Sequence, residues 1–176
     1  MNKSALQTEL TRSHKAFLDY IQQLTDAEFS KKIGEKWTAG QQLEHIYLAL
    51  RPLRWGFSLP KLAFRLLFGK NKRPSRTYAE MVDFYQSKLQ QGAKASTPFV
   101  PKPVGLDRKS KLLAQTAQMV QKLNSQLDDF REQELDLLRI PHPILGKLSI
   151  REMMYFTIYH VQHHHKSTMQ IVDNQL

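Results

Sequence analysis

His160 and His164 are the residues from which chemistry in this sequence is most readily built. They lie in the run Phe156-Thr157-Ile158-Tyr159-His160-Val161-Gln162-His163-His164-His165. In a helix, residues four apart share a face. A mostly apolar stripe recurs at helical spacing through Met153, Phe156, Thr157, His160, His164 and Ile171, so both imidazoles are expected to point inward. Two inward imidazoles at this spacing can share one metal ion. The competing reading is packing, since a single core histidine is usually a hydrogen-bonded filler. A buried pair on one face is harder to explain that way, because each ring needs a partner away from water. His163 falls on the flank of the stripe. His165, rotated by about 100° from His164, is expected to face solvent. Val161 follows His160, so the run is not the His-Glu-x-x-His arrangement that supplies a glutamate base.

The elements that must hold these rings follow from the rest of the chain. Ser149 and Glu152 have capping-box spacing and open a helix over residues 149–174. Residues 3–24 form a helix with Leu6, Leu10, Phe17, Leu18, Ile21 and Leu24 on a broad apolar stripe. His14 is read there as a flanking residue, since no second ligand-type side chain stands at i±4. Residues 25–29 give a short helical turn, and residues 30–37 a loop. Thr38 and Gln41 cap the next helix, whose Leu43, Ile46, Tyr47 and Leu50 form one side, with Leu48 and Ala49 on the other near His45. A helix apolar nearly all round is central. His45 is therefore interior, but it sits opposite the strongest stripe, and spacing alone leaves its role undecided. Pro52 is expected to kink or end this helix.

Residues 55–69 are apolar and interrupted by Gly56 and Pro60, as in a segment that caps a core or lines a pocket mouth. A basic loop follows around Pro74. Thr77 and Glu80 cap a short helix carrying Met81, Phe84, Tyr85 and Leu89, which ends near Gly92. Residues 95–107, with three prolines and a glycine, read as an extended crossover. Residues 108–138 read as one long helix with Leu112, Leu113, Thr116, Met119, Val120, Leu123, Leu127 and Phe130 in register. Pro141-His142-Pro143-Ile144-Leu145-Gly146 then turns the chain into the histidine-bearing helix. No strand pattern emerges. The expected fold is all-α, a four-helix bundle with a long crossover connection, in one domain over residues 1–176.

Composition narrows the function classes. The 176 residues hold no cysteine, which removes disulfides, thiolate ligands and a cysteine nucleophile, so a metal site must use histidine, carboxylate and water. The absence of cysteine, of a signal peptide and of a membrane-length apolar run fits a cytoplasmic protein. Net charge is +10, and no acidic residue lies between Glu44 and Glu80, a gap holding Arg51, Arg54, Lys61, Arg65, Lys70, Lys72, Arg73 and Arg76. Such a segment can attract anionic surfaces, nucleic acid or an anionic small molecule. A solvated basic loop is the favoured reading, because no zinc-finger spacing, RNA-binding sheet motif or recognition helix accompanies it.

Three stretches resemble one known family. Trp37-Thr38-Ala39-Gly40-Gln41-Gln42-Leu43-Glu44-His45-Ile46 is similar to the tryptophan-led second helix of the DinB-like (YfiT-type) superfamily, His142-Pro143-Ile144-Leu145-Gly146-Lys147-Leu148 to its His-Pro turn, and Phe156–His164 to its C-terminal helix with two histidines. The resemblance covers essentially the whole chain in helix order. It implies a four-helix bundle with one divalent metal ion, zinc or nickel foremost, on His45, His160 and His164. It also implies metal-dependent hydrolases and thiol transferases or isomerases, so that the partner would be a small molecule, anionic or a low-molecular-weight thiol. Three neutral imidazoles leave metal positions open for water or substrate, as in catalytic sites. No general base stands out. Glu44 neighbours His45, but adjacent helical residues diverge, and it reads as a surface carboxylate. Lewis-acid activation is therefore the expected chemistry. A non-catalytic metal-binding or interaction bundle is the alternative, and a homodimer is the commonest assembly for such a protein.

Overall fold

The computed structural model describes residues 1–173. Its long helices are α1 (Lys3–Gln23), α3 (Ala39–Phe57), α6 (Lys109–Gln126) and α8 (Ile150–Val172), accompanied by the shorter α2 (Asp26–Ser30), α4 (Lys61–Phe68), α5 (Tyr78–Gln90) and α7 (Glu134–Leu137). α3 packs on α6, α6 on α1, α1 on α8 and α8 on α3, which closes the ring of a four-helix bundle, and α5 lies outside on α8. The excursion from α3 to α6 is the long crossover. Its last part, residues 91–108, contains only two single 3₁₀ turns, Thr97–Phe99 and Leu106–Arg108. The fold is the expected all-α one.

Capping fixes where the helices start. Thr25, Thr38, Thr77 and Ser149 each accept from the N–H of the third helical residue, and Glu28, Gln41, Glu80 and Glu152 reach back to the cap N–H. Each reciprocal pair satisfies two first-turn donors that the helix itself leaves unbonded. At α8 this device is extended. The fully buried Glu152 carboxylate also accepts from Arg73 (2.6 and 2.9 Å), from Arg76 Nη1 (3.0 Å) and from the Arg76 backbone (2.9 Å). Burial pushes this carboxyl up, but the Arg73 pair and the two backbone N–H groups outweigh burial and hold it below the usual range. Lys61 likewise pairs with Glu134 at 2.8 Å. Part of the basic segment is thus internal ion pairing that ties the 70–76 loop and α4 to the bundle.

Three elements depart from the expectation. α3 does not end at Pro52 but runs to Phe57. Pro52 removes the hydrogen bond to the Leu48 carbonyl, yet the buried Leu53, Gly56 and Phe57 beyond it keep the helix on the core. Gly56, expected to interrupt, lies inside the helix, where a Cβ would come within 3.2 Å of Ile140. The long helix after residue 108 stops at Gln126 instead of residue 138, and a 3₁₀ turn, Leu127–Asp129, follows. Phe130 leaves the helix in an extended conformation and packs on Phe57 and Phe64 at ring distances of 5.4 and 5.9 Å.

The third departure is a small hairpin, β1 (Arg139–His142) paired antiparallel with β2 (Gly146–Ser149), with Ile140 opposite Leu148 and His142 opposite Gly146. Each strand is four residues long and β1 contains Pro141, so no alternation could announce it. Gly146 takes φ +74°, a conformation that favours glycine.

Candidate metal centre

α8 presents His160 and His164 one turn apart on its buried face, and α3 brings His45 against them; all three are at least nine-tenths buried. The Nε2 atoms converge, His45 to His160 at 3.2 Å and His164 to His160 at 3.1 Å. Two of the rings are fixed from behind. His45 Nδ1–H donates to the Phe99 carbonyl at 2.7 Å, and His164 Nδ1–H donates to Gln42 Oε1. A neutral imidazole whose Nδ1 donates has a bare lone pair on Nε2. His45 and His164 therefore both aim lone pairs at the place where His160 Nε2 also points. One proton on His160 can satisfy only one of them. A divalent cation satisfies all three, since metal–nitrogen bonds of about 2.0–2.1 Å in tetrahedral geometry set ligand nitrogens about 3.3 Å apart. The three residues could hold one metal ion, and the donor set fits it.

Electrostatics point the same way. Burial is the main cause that lowers the His45, His160 and His164 pKa values, the latter two far below the ordinary histidine range, and the neighbouring imidazoles push each down further. The rings stay neutral, which is the ligating form. Trp37 roofs the cluster, with ring centroids 4.9 Å from His45 and 6.2 Å from His164.

The cluster forms part of the wall of a cavity of about 310 Å³. The other walls are mostly apolar, including Trp55, Phe68, Phe99, Ile140 and Phe156; the polar groups are Lys94, Ser96, Tyr85, His142 and His163, and no carboxylate lines it among the described residues. The basic segment borders this cavity through Pro52, Leu53, Trp55 and Phe68 rather than through its cations.

The remaining histidines are placed as follows. His163 sits on the flank, at the cavity edge, as expected. His165 does not face open solvent. It packs 5.0 Å from Tyr20 and 5.9 Å from Phe17, and its Nε2 is buried without a hydrogen-bond partner among the described residues. α1 covers the face of α8 that carries it. His14 is not a flanking residue but fully buried, donating from Nδ1 to the Leu10 carbonyl at 2.8 Å. Its position four after Leu10 and three before Phe17 puts it on the α1 stripe, a signal readable in the sequence. Glu44 is not a surface carboxylate either, since it is largely buried and paired with Arg108 at 3.0 Å. Gln42 and the Phe99 carbonyl were not selected from the sequence. Gln42 stands three before His45 on the same helical face, which is its only signal, and a backbone carbonyl carries none.

A family model of the DinB superfamily matches residues 9–167. The chain belongs to the DinB superfamily. No curated protein matches it.

Proposed function

We propose that this DinB-superfamily protein is a metal-dependent enzyme acting on a small molecule by Lewis-acid activation, with His45, His160 and His164 as the ligands of one divalent ion. The single observation that carries the reading is the convergence of three buried, neutral Nε2 atoms at the wall of an apolar cavity. A divalent ion there would polarise a substrate oxygen or lower the pKa of bound water. The chain's own residues supply the rest. Gln42 and Phe99 hold two rings by their Nδ1–H groups, which fixes tautomer and aim. Trp37 and the apolar walls cover part of the ligating face. With no carboxylate lining the cavity among the described residues, the reading favours activation of the substrate itself over base-assisted hydrolysis, and transfer or isomerisation over peptide cleavage. Zinc and nickel are the ions to try first, because imidazole suits both.

The test is metal content by elemental analysis after reconstitution, for wild type, the His45→Ala, His160→Ala and His164→Ala variants, and His163→Ala and His165→Ala as controls. About one ion per chain in wild type and controls, with loss in the three ligand variants, is the expected result. Equal content in all six proteins would sink the assignment. Loss with His163→Ala but not with His164→Ala would exchange the partner of His160.

A further inference from the structure

His142 lines the cavity outside the three-histidine cluster, and the Nδ1 side of its ring is committed to its own hairpin. Its Nδ1 accepts two backbone N–H groups of its own hairpin turn, from Ile144 at 3.2 Å and Leu145 at 3.1 Å. A nitrogen that accepts carries no proton, so the neutral ring is protonated on Nε2 and can only donate there. With the Nδ1 side turned into the hairpin, the Nε2 side is what reaches the cavity, where it has no hydrogen-bond partner among the described residues. The ring lies edge-on to Phe156 at 4.4 Å, and His160 stacks on the same Phe156 at 4.8 Å. One phenyl ring thus spaces the His142 donor from the cluster, within the span of one small molecule. Burial lowers the His142 pKa to about 4, which keeps the ring in this neutral form near neutral pH.

We propose that His142 is a substrate-binding hydrogen-bond donor, and that the cavity takes a small apolar molecule ending in an acceptor oxygen, a carboxylate foremost, held between His142 Nε2–H and the three-histidine cluster. The inference rests on the reading of this cavity as the ligand site of that cluster. The ligand class follows from the walls. The apolar residues Trp55, Phe68 and Ile140 suit a hydrocarbon body, and among the described residues the only charged side chain lining the cavity is the cation Lys94. A cationic or donor-only ligand would find no carboxylate to meet it.

The two tryptophans of the chain, Trp37 and Trp55, both line the cavity, so intrinsic fluorescence reports its occupancy directly. The probe is phenylacetate, with 2-phenylethylamine as the counter-probe, titrated into metal-free and Co(II)-loaded protein. His142→Asn is the decisive variant. Its side-chain oxygen can still accept the Ile144 N–H as an Asx turn, so the hairpin is kept while the cavity donor is lost. The expected result is phenylacetate binding to wild type and about ten- to a hundred-fold weaker binding to His142→Asn, the loss of one donor to a charged acceptor. Co(II) uptake should be unchanged, and the wild-type ¹⁵N shifts of His142 should report Nε2 as the protonated nitrogen. Equal phenylacetate affinity in wild type and His142→Asn would overturn the role, as would a proton on Nδ1. Phenylethylamine binding as well as phenylacetate, or wild type binding neither, would overturn the ligand class. If wild type fails to take up Co(II), the metal reading falls, and the metal-free titrations still decide the role of His142.

Discussion

Acidification should unfold this protein in a window set by histidines rather than carboxylates. His14 is completely buried beneath the bundle's apolar stripe, and burial lowers its pKa from 6.5 to about 4, against a smaller opposing effect of its bond to the Leu10 carbonyl. The unfolded chain takes up this proton near pH 6.5, but the folded protein does so only near pH 4. Stability from His14 is therefore fully present above about pH 6.5 and is lost as pH falls toward the folded value. Each pH unit inside the window costs about 1.4 kcal/mol, so His14 alone removes about 2 kcal/mol by pH 5 and about 3 kcal/mol by pH 4. His142 has the same folded value, also through burial, and adds a comparable share. Against a total stability of about 5–15 kcal/mol, these two groups remove a large share by pH 4, and in the metal-free protein the neutral, buried cluster histidines add to the loss in the same direction.

The assay is urea unfolding of the metal-stripped protein, followed by far-ultraviolet circular dichroism at half-unit steps. His14→Leu keeps a similar volume and removes the titration. It should flatten the stability profile by about 1.4 kcal/mol per pH unit between about pH 6.5 and 4, while changing neutral-pH stability by much less. The depressed carboxylates act only at the low end of this window: the contribution of Glu152 is fully present above its unfolded value of 4.5 and is lost as pH falls below it, so the His14 slope is read above about pH 5. A wild-type profile flat from about pH 7.5 to 5, or an unchanged slope in His14→Leu, would refute the argument.

Other outcomes follow from single contacts. Gln42→Leu removes the acceptor of the His164 Nδ1–H and should weaken metal binding about ten- to a hundred-fold, with helicity retained, as read by competition with a chromogenic chelator. Glu152→Ala strands Arg73, Arg76 and two backbone N–H groups; because both guanidiniums are partly exposed, the cost should lie near the lower end of buried-pair losses, about 3 kcal/mol, read as a lowered thermal midpoint. Salt should offset little of that loss, since the carboxylate itself is fully buried.

The parts of this fold that the sequence disclosed are those governed by local rules. The reciprocal caps at Thr38, Thr77 and Ser149 are legible as Ser or Thr followed three residues later by Glu or Gln, and all three are formed; a fourth, at Thr25, has the same spacing in a stretch read only as a helical turn. The His160–His164 pair was visible because a helix repeats its face every three to four residues. What was hidden depends on distant chain. Nothing near Phe130 says that the stripe should break there, because the reason is a slot between Phe57 and Phe64. The hairpin at 139–149 is too short to alternate. His45 was undecidable from periodicity, since α3 is buried on several faces at once. Only the family resemblance selected it, and α3 does bring it to the pair on α8.

The supports of the cluster explain why a single helix could not have carried it. His160 and His164 arrive together on α8, but each remaining requirement comes from a different segment: His45 and Gln42 from α3, and the Phe99 carbonyl from a 3₁₀ turn in the crossover. A carbonyl left free of helix or sheet bonding can turn toward an imidazole on a distant segment. The irregular crossover between α5 and α6, which its prolines keep out of any helix, supplies such a carbonyl. At the other end of α8, Glu152 and Ser149 bind the 73–76 loop, so the register of the helix that bears the histidines is fixed at its start by the basic segment. The cations of residues 51–76, expected from the sequence to be a solvated loop, thus include two, Arg73 and Arg76, that hold the start of the helix bearing two of the candidate metal ligands. Their removal would be felt at the cluster as misplacement of α8 rather than as loss of charge.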